Sequence, residues 1–188
     1  MAARIVSMTA GSIRVLKPNV SQEDALRAFS AVGFSALYWR IRSGPLRRIA
    51  DVYVQYFLFR VKCEDVPPRL FAIDAVEGSL DLFEFPRIPD EREFLATGDR
   101  NRLKATLSAD QAAGFLREKV LRVIFQQGFF KVRNTHLEIS LVPFELHLPY
   151  WLGFYGRKEM VRCRVLDAVR RRMEGAKASA FFEQWLAA

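Results

Sequence analysis

Leu16-Lys17-Pro18-Asn19-Val20-Ser21-Gln22-Glu23-Asp24-Ala25 returns further along the chain as Leu103-Lys104-Ala105-Thr106-Leu107-Ser108-Ala109-Asp110-Gln111-Ala112, with leucine, lysine, serine and alanine in one register. Two more echoes follow in the same order. Val54-Gln55-Tyr56-Phe57-Leu58 matches Leu148-Pro149-Tyr150-Trp151-Leu152, and Ile73-Asp74-Ala75-Val76 matches Leu166-Asp167-Ala168-Val169. Three blocks in one order point to a duplicated supersecondary unit. The local signals agree. Ser12 to Leu16 reads as a short strand broken by Pro18-Asn19. Ser21 is then a helix N-cap, with Glu23 and Asp24 in the first turn, where acids complement the helix dipole. Ala25, Leu26, Phe29 and Val32 form the buried stripe, and Gly33 is the expected terminator. In the second copy Ser108 and Gln111 have capping-box spacing, and Ala112, Phe115, Leu116, Val120, Val123 and Ile124 carry the helix toward Gly128.

Outward from these blocks, residues 36–42 are expected as a strand and Ser43-Gly44-Pro45 as a turn. Ile49 to Val61 is a long strand with Val52, Val54, Tyr56 and Leu58 on one face and Tyr53, Gln55, Phe57 and Phe59 on the other. Cys63 to Pro68 reads as a loop, and Arg69–Ala75 and Ser79–Phe85 as a hairpin about Glu77-Gly78. Pro86 to Asn101, rich in charge and proline, reads as a linker. Arg102 to Leu107 opens the second unit, which continues with strands at 129–133, 135–142, 144–155 and 160–166. The C-terminal segment Ala176 to Leu186 is helical, with Ala178, Phe181, Phe182 and Trp185 as its buried face.

The expected fold is therefore α+β: two degenerate copies of a strand–helix–antiparallel-strands unit, over 11–85 and 102–188, joined by 86–101. Two packed subdomains are favoured over one joined sheet with a pseudo-twofold axis.

A chain of 188 residues, 51% of them hydrophobic, can bury a sizeable core. Cys63 and Cys163 make neither a disulfide framework nor a zinc-ligand set. No secretory leader is visible, and no run reaches the roughly 18 apolar residues that span a bilayer, so the expected compartment is the cytoplasm. The net charge of +8 is uneven: residues 1–94 hold 13 Lys/Arg and 12 Asp/Glu, residues 95–188 hold 16 and 9. The excess concentrates between Arg157 and Lys177.

Asp74-Ala75-Val76-Glu77-Gly78 at the end of a strand, preceded by a helix carrying Ala25, resembles the small cystatin-like PepSY module. The second copy keeps Asp167-Ala168 and has Arg171 where Gly78 aligns. The resemblance covers about 60 residues per copy and implies a binding or inhibitory module.

Candidate site residues fall into two sets. Arg162, Arg164, Arg170, Arg171 and Arg172 form a basic surface suited to an acidic protein or a phosphate-bearing surface. Tyr53, Phe57, Trp151 and Tyr155 would add an apolar cleft between the copies. The alternative is a small-molecule or catalytic pocket between the copies, built from Glu145, His147, Tyr150, Asp74 and Asp167. Against it, local backbone capping accounts for the two aspartates without catalysis, and Glu145 with His147 reads as a polar sheet face. His136 with Glu138 repeats the latter spacing, yet no metal-ligand motif completes a site. Cys163, alternating with Val161 and Val165, reads as a buried core thiol. Nucleic-acid binding is a third reading, from the basic segment beside Trp151, Phe154 and Tyr155. Neither a cofactor nor a metal is expected, and the balance favours binding over catalysis.

Overall fold

A computed structural model describes residues 11–30, 41, 43–63, 66–126, 137–157 and 160–187. The strands are β1 (Ser12–Leu16), β2 (Leu46–Cys63), β3 (Val66–Asp74), β4 (Phe83–Phe85), β5 (Phe94–Gly98), β6 (Arg102–Leu103), β7 (Leu137–Arg157), β8 (Met160–Asp167) and β9 (Arg172–Met173). The helices are α1 (Gln22–Ser30), α2 (Ala109–Gln126) and α3 (Ala176–Ala187). The class is α+β, and no described helix is long and apolar enough to cross a membrane.

The two halves do not form separate sheets. All nine described strands join one mixed sheet whose spine is the antiparallel β2–β7 pair, from Leu46 opposite Tyr155 to Cys63 opposite Leu137. The favoured subdomain arrangement is therefore replaced by the joined sheet. The cause is in β2 itself: its aromatic and β-branched residues need cover on both faces and both edges, and β7 supplies one whole edge.

Pairings repeat about the Val54–Leu148 pair. Tyr56 lies opposite Asp74 on β3, and Tyr150 opposite Asp167 on β8. β6 runs parallel to β2 at Val54, and β1 runs parallel to β7 at His147. Thus the first strand of each half pairs with the long strand of the other. The backbone follows suit: Ala75 donates to Gln55 O and Ala168 to Pro149 O, while Asn19 donates to Ala168 O and Thr106 to Ala75 O. Gly78 and Arg171 both hold left-handed backbone, with φ of 64° and 57°, which costs a side-chain-bearing residue more than glycine.

Both helix caps form as expected. Ser21 Oγ accepts the Asp24 amide at 3.1 Å, and the Asp24 carboxylate accepts the Ser21 hydroxyl at 2.8 Å. Gln111 Oε1 accepts the Ser108 amide at 2.9 Å, and Ser108 Oγ accepts the Gln111 amide at 3.2 Å. Each of these helices straddles the two halves, α1 also meeting Leu46 and Ile49 of β2 and α2 also meeting Leu137 of β7. Ala25 and Phe29 of α1 pack with Tyr155, Leu166 and Ala168 of β7, β8 and the turn after β8. Ala112, Leu116 and Val120 of α2 pack with Phe59, Val61, Phe71 and Ile73 of β2 and β3. Gly153 sits under α1, where an added Cβ would lie 2.8 Å from the Phe29 ring. Gly153→Ala should therefore lower stability by about 1–3 kcal/mol in chemical denaturation, through forced displacement of α1.

The opposite face carries Val54, Tyr56, Leu58, Leu103, Leu146, Leu148, Tyr150 and Leu152, covered by Ala178, Phe181 and Phe182 of α3. At its centre the Tyr56 and Tyr150 hydroxyls, both buried, share a 2.6 Å hydrogen bond. Burial, and then the neighbouring charges and hydroxyls, hold Tyr56 well above the usual tyrosine pKa. Removing one hydroxyl strands the other. Tyr56→Phe and Tyr150→Phe should each cost about 1–2 kcal/mol, and the double variant clearly less than their sum; strict additivity would show that the pair is not coupled.

Several expected boundaries move. Residues 31–40 lie outside the described set, and Ile41 and Ser43 are helical, against a strand over 36–42. β3 begins at Val66, because Pro67 and Pro68 fall where the ladder skips from Cys63–Val66 to Val61–Arg69 and need no N–H. The expected linker contains β5, whose five residues pair antiparallel with all of β1. β6 is only two residues long. The strands expected at 135–142 and 144–155 are one strand, β7, with a bulge: Phe57 alone spans the gap between partners Leu146 and Val142, across Pro143, which cannot donate to the ladder. The expected strand 129–133 lies outside the described residues. Trp185 is 37% exposed rather than part of the buried helix face.

Candidate functional site

Asp74 and Asp167 end matching strands and hold the loops that follow. Asp74 Oδ1 accepts the amides of Glu77 at 2.8 Å and Gly78 at 2.9 Å, and Oδ2 that of Leu80 at 2.8 Å. Asp167 Oδ1 accepts the amides of Val169 and Arg170, both at 2.8 Å, and its Oδ2 lies 3.6 Å from Arg170 Nε. Burial raises the Asp167 pKa against the pull of these amides and of Arg170. Both carboxylates are buried on the same sheet face as Tyr56 and Tyr150.

The two loops so fixed wall one cavity of about 540 Å³, lined by Asp81, Leu82, Glu84, Lys119, Arg122, Arg170, Arg172 and Lys177. Its cations come from α2, from the turn after β8, from β9 and from α3; its acids come from the loop and strand after β3. Asp81 pairs with Arg172 at 2.9 Å and Glu84 with Arg69 at 2.6 Å. Arg172 also reaches Glu174 at 3.1 Å. Arg170 donates to the Leu82 carbonyl and stacks its guanidinium 4.1 Å from the Phe83 ring centroid. Lys119 donates one proton to the Leu80 carbonyl. Burial, and then the positive charges of Lys177 and Arg122, hold its ammonium below the usual lysine pKa, against the pull of Asp74 and Asp81. Arg122 and Lys177 have no ion pair or hydrogen bond with a described side chain.

Of the expected basic set, Arg170 and Arg172 line this cavity, both already committed to internal partners. Arg171 and Arg162 are exposed elsewhere, and Arg164 is half-buried beside the Tyr155 hydroxyl. The expected aromatic cleft does not form. Phe57 packs with the α2 cluster, whereas Trp151 and Tyr155 pack with the α1 cluster. Trp151 donates to Val20 O at 3.1 Å and Tyr155 to Phe29 O at 2.7 Å, while the Tyr53 hydroxyl is held by Asp51. These rings, with Phe154 buried, are not open platforms for stacking bases.

Of the alternative set, Tyr150, Asp74 and Asp167 share a face; His147 is buried on the other and Glu145 is exposed. Nδ1 of His147 faces the Arg14 carbonyl at 3.0 Å, and Nε2 has no partner among the described residues. Burial lowers its pKa, outweighing the Arg14 carbonyl and Glu145, whose carboxylate is 3.8 Å away, while Arg102 lowers it further. A histidine that binds its proton less readily folded than unfolded destabilises the fold as pH drops below its unfolded value of about 6.5. Unfolding free energy of the wild type should thus decline between about pH 6.5 and 5 more steeply than that of His147→Gln; parallel profiles would refute the assignment. No group of three or more His, Cys, Asp or Glu able to hold a metal occurs among the described residues, and His136 is outside them. Cys163 is buried, and burial followed by the Glu183 carboxylate pushes its thiol up to about 12.

No family model matches the chain, and neither a curated protein nor a solved structure resembles it significantly. The site therefore rests on its own residues. Lys119 and Arg122 are not among the site residues expected from the sequence, because nothing in the helix itself says which distant loop packs beside them. The signal that finds them is the folding of a distant carboxylate-pinned loop against that helix.

Proposed function

We propose that this chain is a binding protein whose anionic partner seats in the cavity between the α2 flank, the Asp74 loop and the Asp167 turn. The observation that carries this reading is charge imbalance in a surface cavity open to solvent. Five cations line it against two carboxylates, and both carboxylates already have counter-ions. Lys119 stands within the positive fields of Lys177 and Arg122, a repulsion that a bound anion relieves. All five cations belong to the second half of the chain, in keeping with a basic C-terminal surface, and the acids come from the first.

The reading includes descent of the two halves from one unit. Its support is the recurrence of the Tyr–Asp pairing, the amide-capping aspartate and the left-handed residue at matching sequence positions. The PepSY-like kinship stands on the Asp74–Gly78 turn alone. Two free thiols fit a reducing cytoplasm.

The test is calorimetric titration of pyrophosphate into wild type, Arg122→Glu/Lys177→Glu and Arg162→Glu, each shown to be folded by circular dichroism. Binding that weakens about tenfold or more only in the cavity variant supports the reading. Equal affinity across the three proteins overturns it.

A further inference from the structure

The cavity's lining also constrains what kind of anion it takes, and this step rests on the binding reading above. Its volume, about 540 Å³, lies within the ~300–1,000 Å³ of small-molecule sites and leaves room beside a lone phosphate group. Arg122 and Lys177, without an ion pair among the described residues, together with Lys119 exceed what a single carboxylate neutralises. A phosphate monoester carries about −1.5 to −2 near pH 7 and offers three acceptor oxygens. Lys119 has two ammonium protons left after its bond to the Leu80 carbonyl. The acids matter as much. Asp81 and Glu84 stand exposed on the same wall, their charges balanced by Arg172 and Arg69, and their remaining lone pairs accept hydrogen bonds from hydroxyl groups. Leu82 is the one apolar side chain in the lining, so a greasy ligand body gains little.

We propose that the ligand is a small phosphorylated polyhydroxy compound, with its phosphate on Lys119, Arg122 and Lys177 and its hydroxyl-bearing body against Asp81 and Glu84. The phosphate neutralises the unbalanced end of the cavity, and the acids select the body by its hydroxyls.

The experiment titrates the full chain with ribose 5-phosphate, fructose 1,6-bisphosphate, ADP, inorganic phosphate, ribose and a penta-glutamate peptide, read by calorimetry and thermal shift. At least one organic phosphate should bind about tenfold or more tighter than inorganic phosphate. Ribose and the peptide should bind immeasurably weakly, and Arg122→Glu/Lys177→Glu should abolish the preference. Glu84→Gln should reduce the organic-over-inorganic preference by about threefold or more. If organic and inorganic phosphates bind equally, the hydroxyl-bearing body is wrong while the anion cavity stands. If the peptide binds and no phosphate does, the ligand class is wrong and the cavity stands. If none of the anions binds, the ligand assignment and the binding reading fall together.

Discussion

Asp74→Ala is expected to lower the unfolding free energy by about 3–4 kcal/mol, measured by urea denaturation, because it strands three amides at once. The carboxylate accepts Glu77, Gly78 and Leu80, and the last two bonds are buried. Its counterpart, Asp167, accepts two amides and already bears a desolvation penalty that raises its pKa. Asp167→Ala should therefore cost less, about 1–2 kcal/mol. Asp74→Asn should recover only part of the loss, since an amide nitrogen would face one N–H donor. Equal losses at the two aspartates would contradict the described bonding. The Asp74 change should reach the cavity as well. The loop it pins supplies the Leu80 carbonyl to Lys119, the Leu82 carbonyl to Arg170 and Asp81 to Arg172. Weakened pyrophosphate binding in the folded fraction should accompany the lost stability.

Phe182→Ala is expected to cost about 3–5 kcal/mol in the same assay. Phe182 is fully buried, meets Phe181 edge-on at 4.9 Å between centroids and leans on Tyr150 at 5.6 Å. It anchors α3 over the Tyr56–Tyr150 centre, and the surrounding sheet cannot collapse to fill the space. Glu183, its neighbour, accepts the Cys163 amide at 2.8 Å, so loss of the anchor also frees an edge of β8. Trp185→Ala, near the exposed end of the same helix, should change stability by only about 0.5 kcal/mol. A large effect at Trp185 with a small one at Phe182 would mean that the helix face is wrongly assigned.

What the sequence made legible was local. Ser21 with Asp24 and Ser108 with Gln111 marked both helix starts, because caps are chemistry within three residues. The alternation Val52, Val54, Tyr56, Leu58 marked β2, because burial of one face imposes period two. What stayed hidden was pairing across distance. Nothing in Phe94–Gly98, set among prolines and charges, says that β1 will recruit it. Nothing in Val15 names His147, rather than a neighbour in its own half, as its partner. The site divides in the same way. Arg170, Arg172 and Lys177 stood out as a charge run, but which arginines are spent internally depends on Asp81, Asp167 and Glu174. Lys119 and Arg122 join them only through the fold.

The crossing-over of first strands and the straddling of both halves by the helices have a consequence for how the chain comes into being. Neither half owns its cover alone: α1 packs with β7 and β8 as well as with Leu46 and Ile49 of β2, and α2 packs with β2 and β3 as well as with Leu137 of β7. β2 therefore leaves the ribosome with one long edge and much of a face bare until β7 has been synthesised. Its central partner lies about half the chain away, so closing the spine is a high-contact-order step that refolds slowly. A chain cut between the halves would expose a sticky strand rather than a smaller working protein, which makes the joined sheet, not either half, the unit of folding.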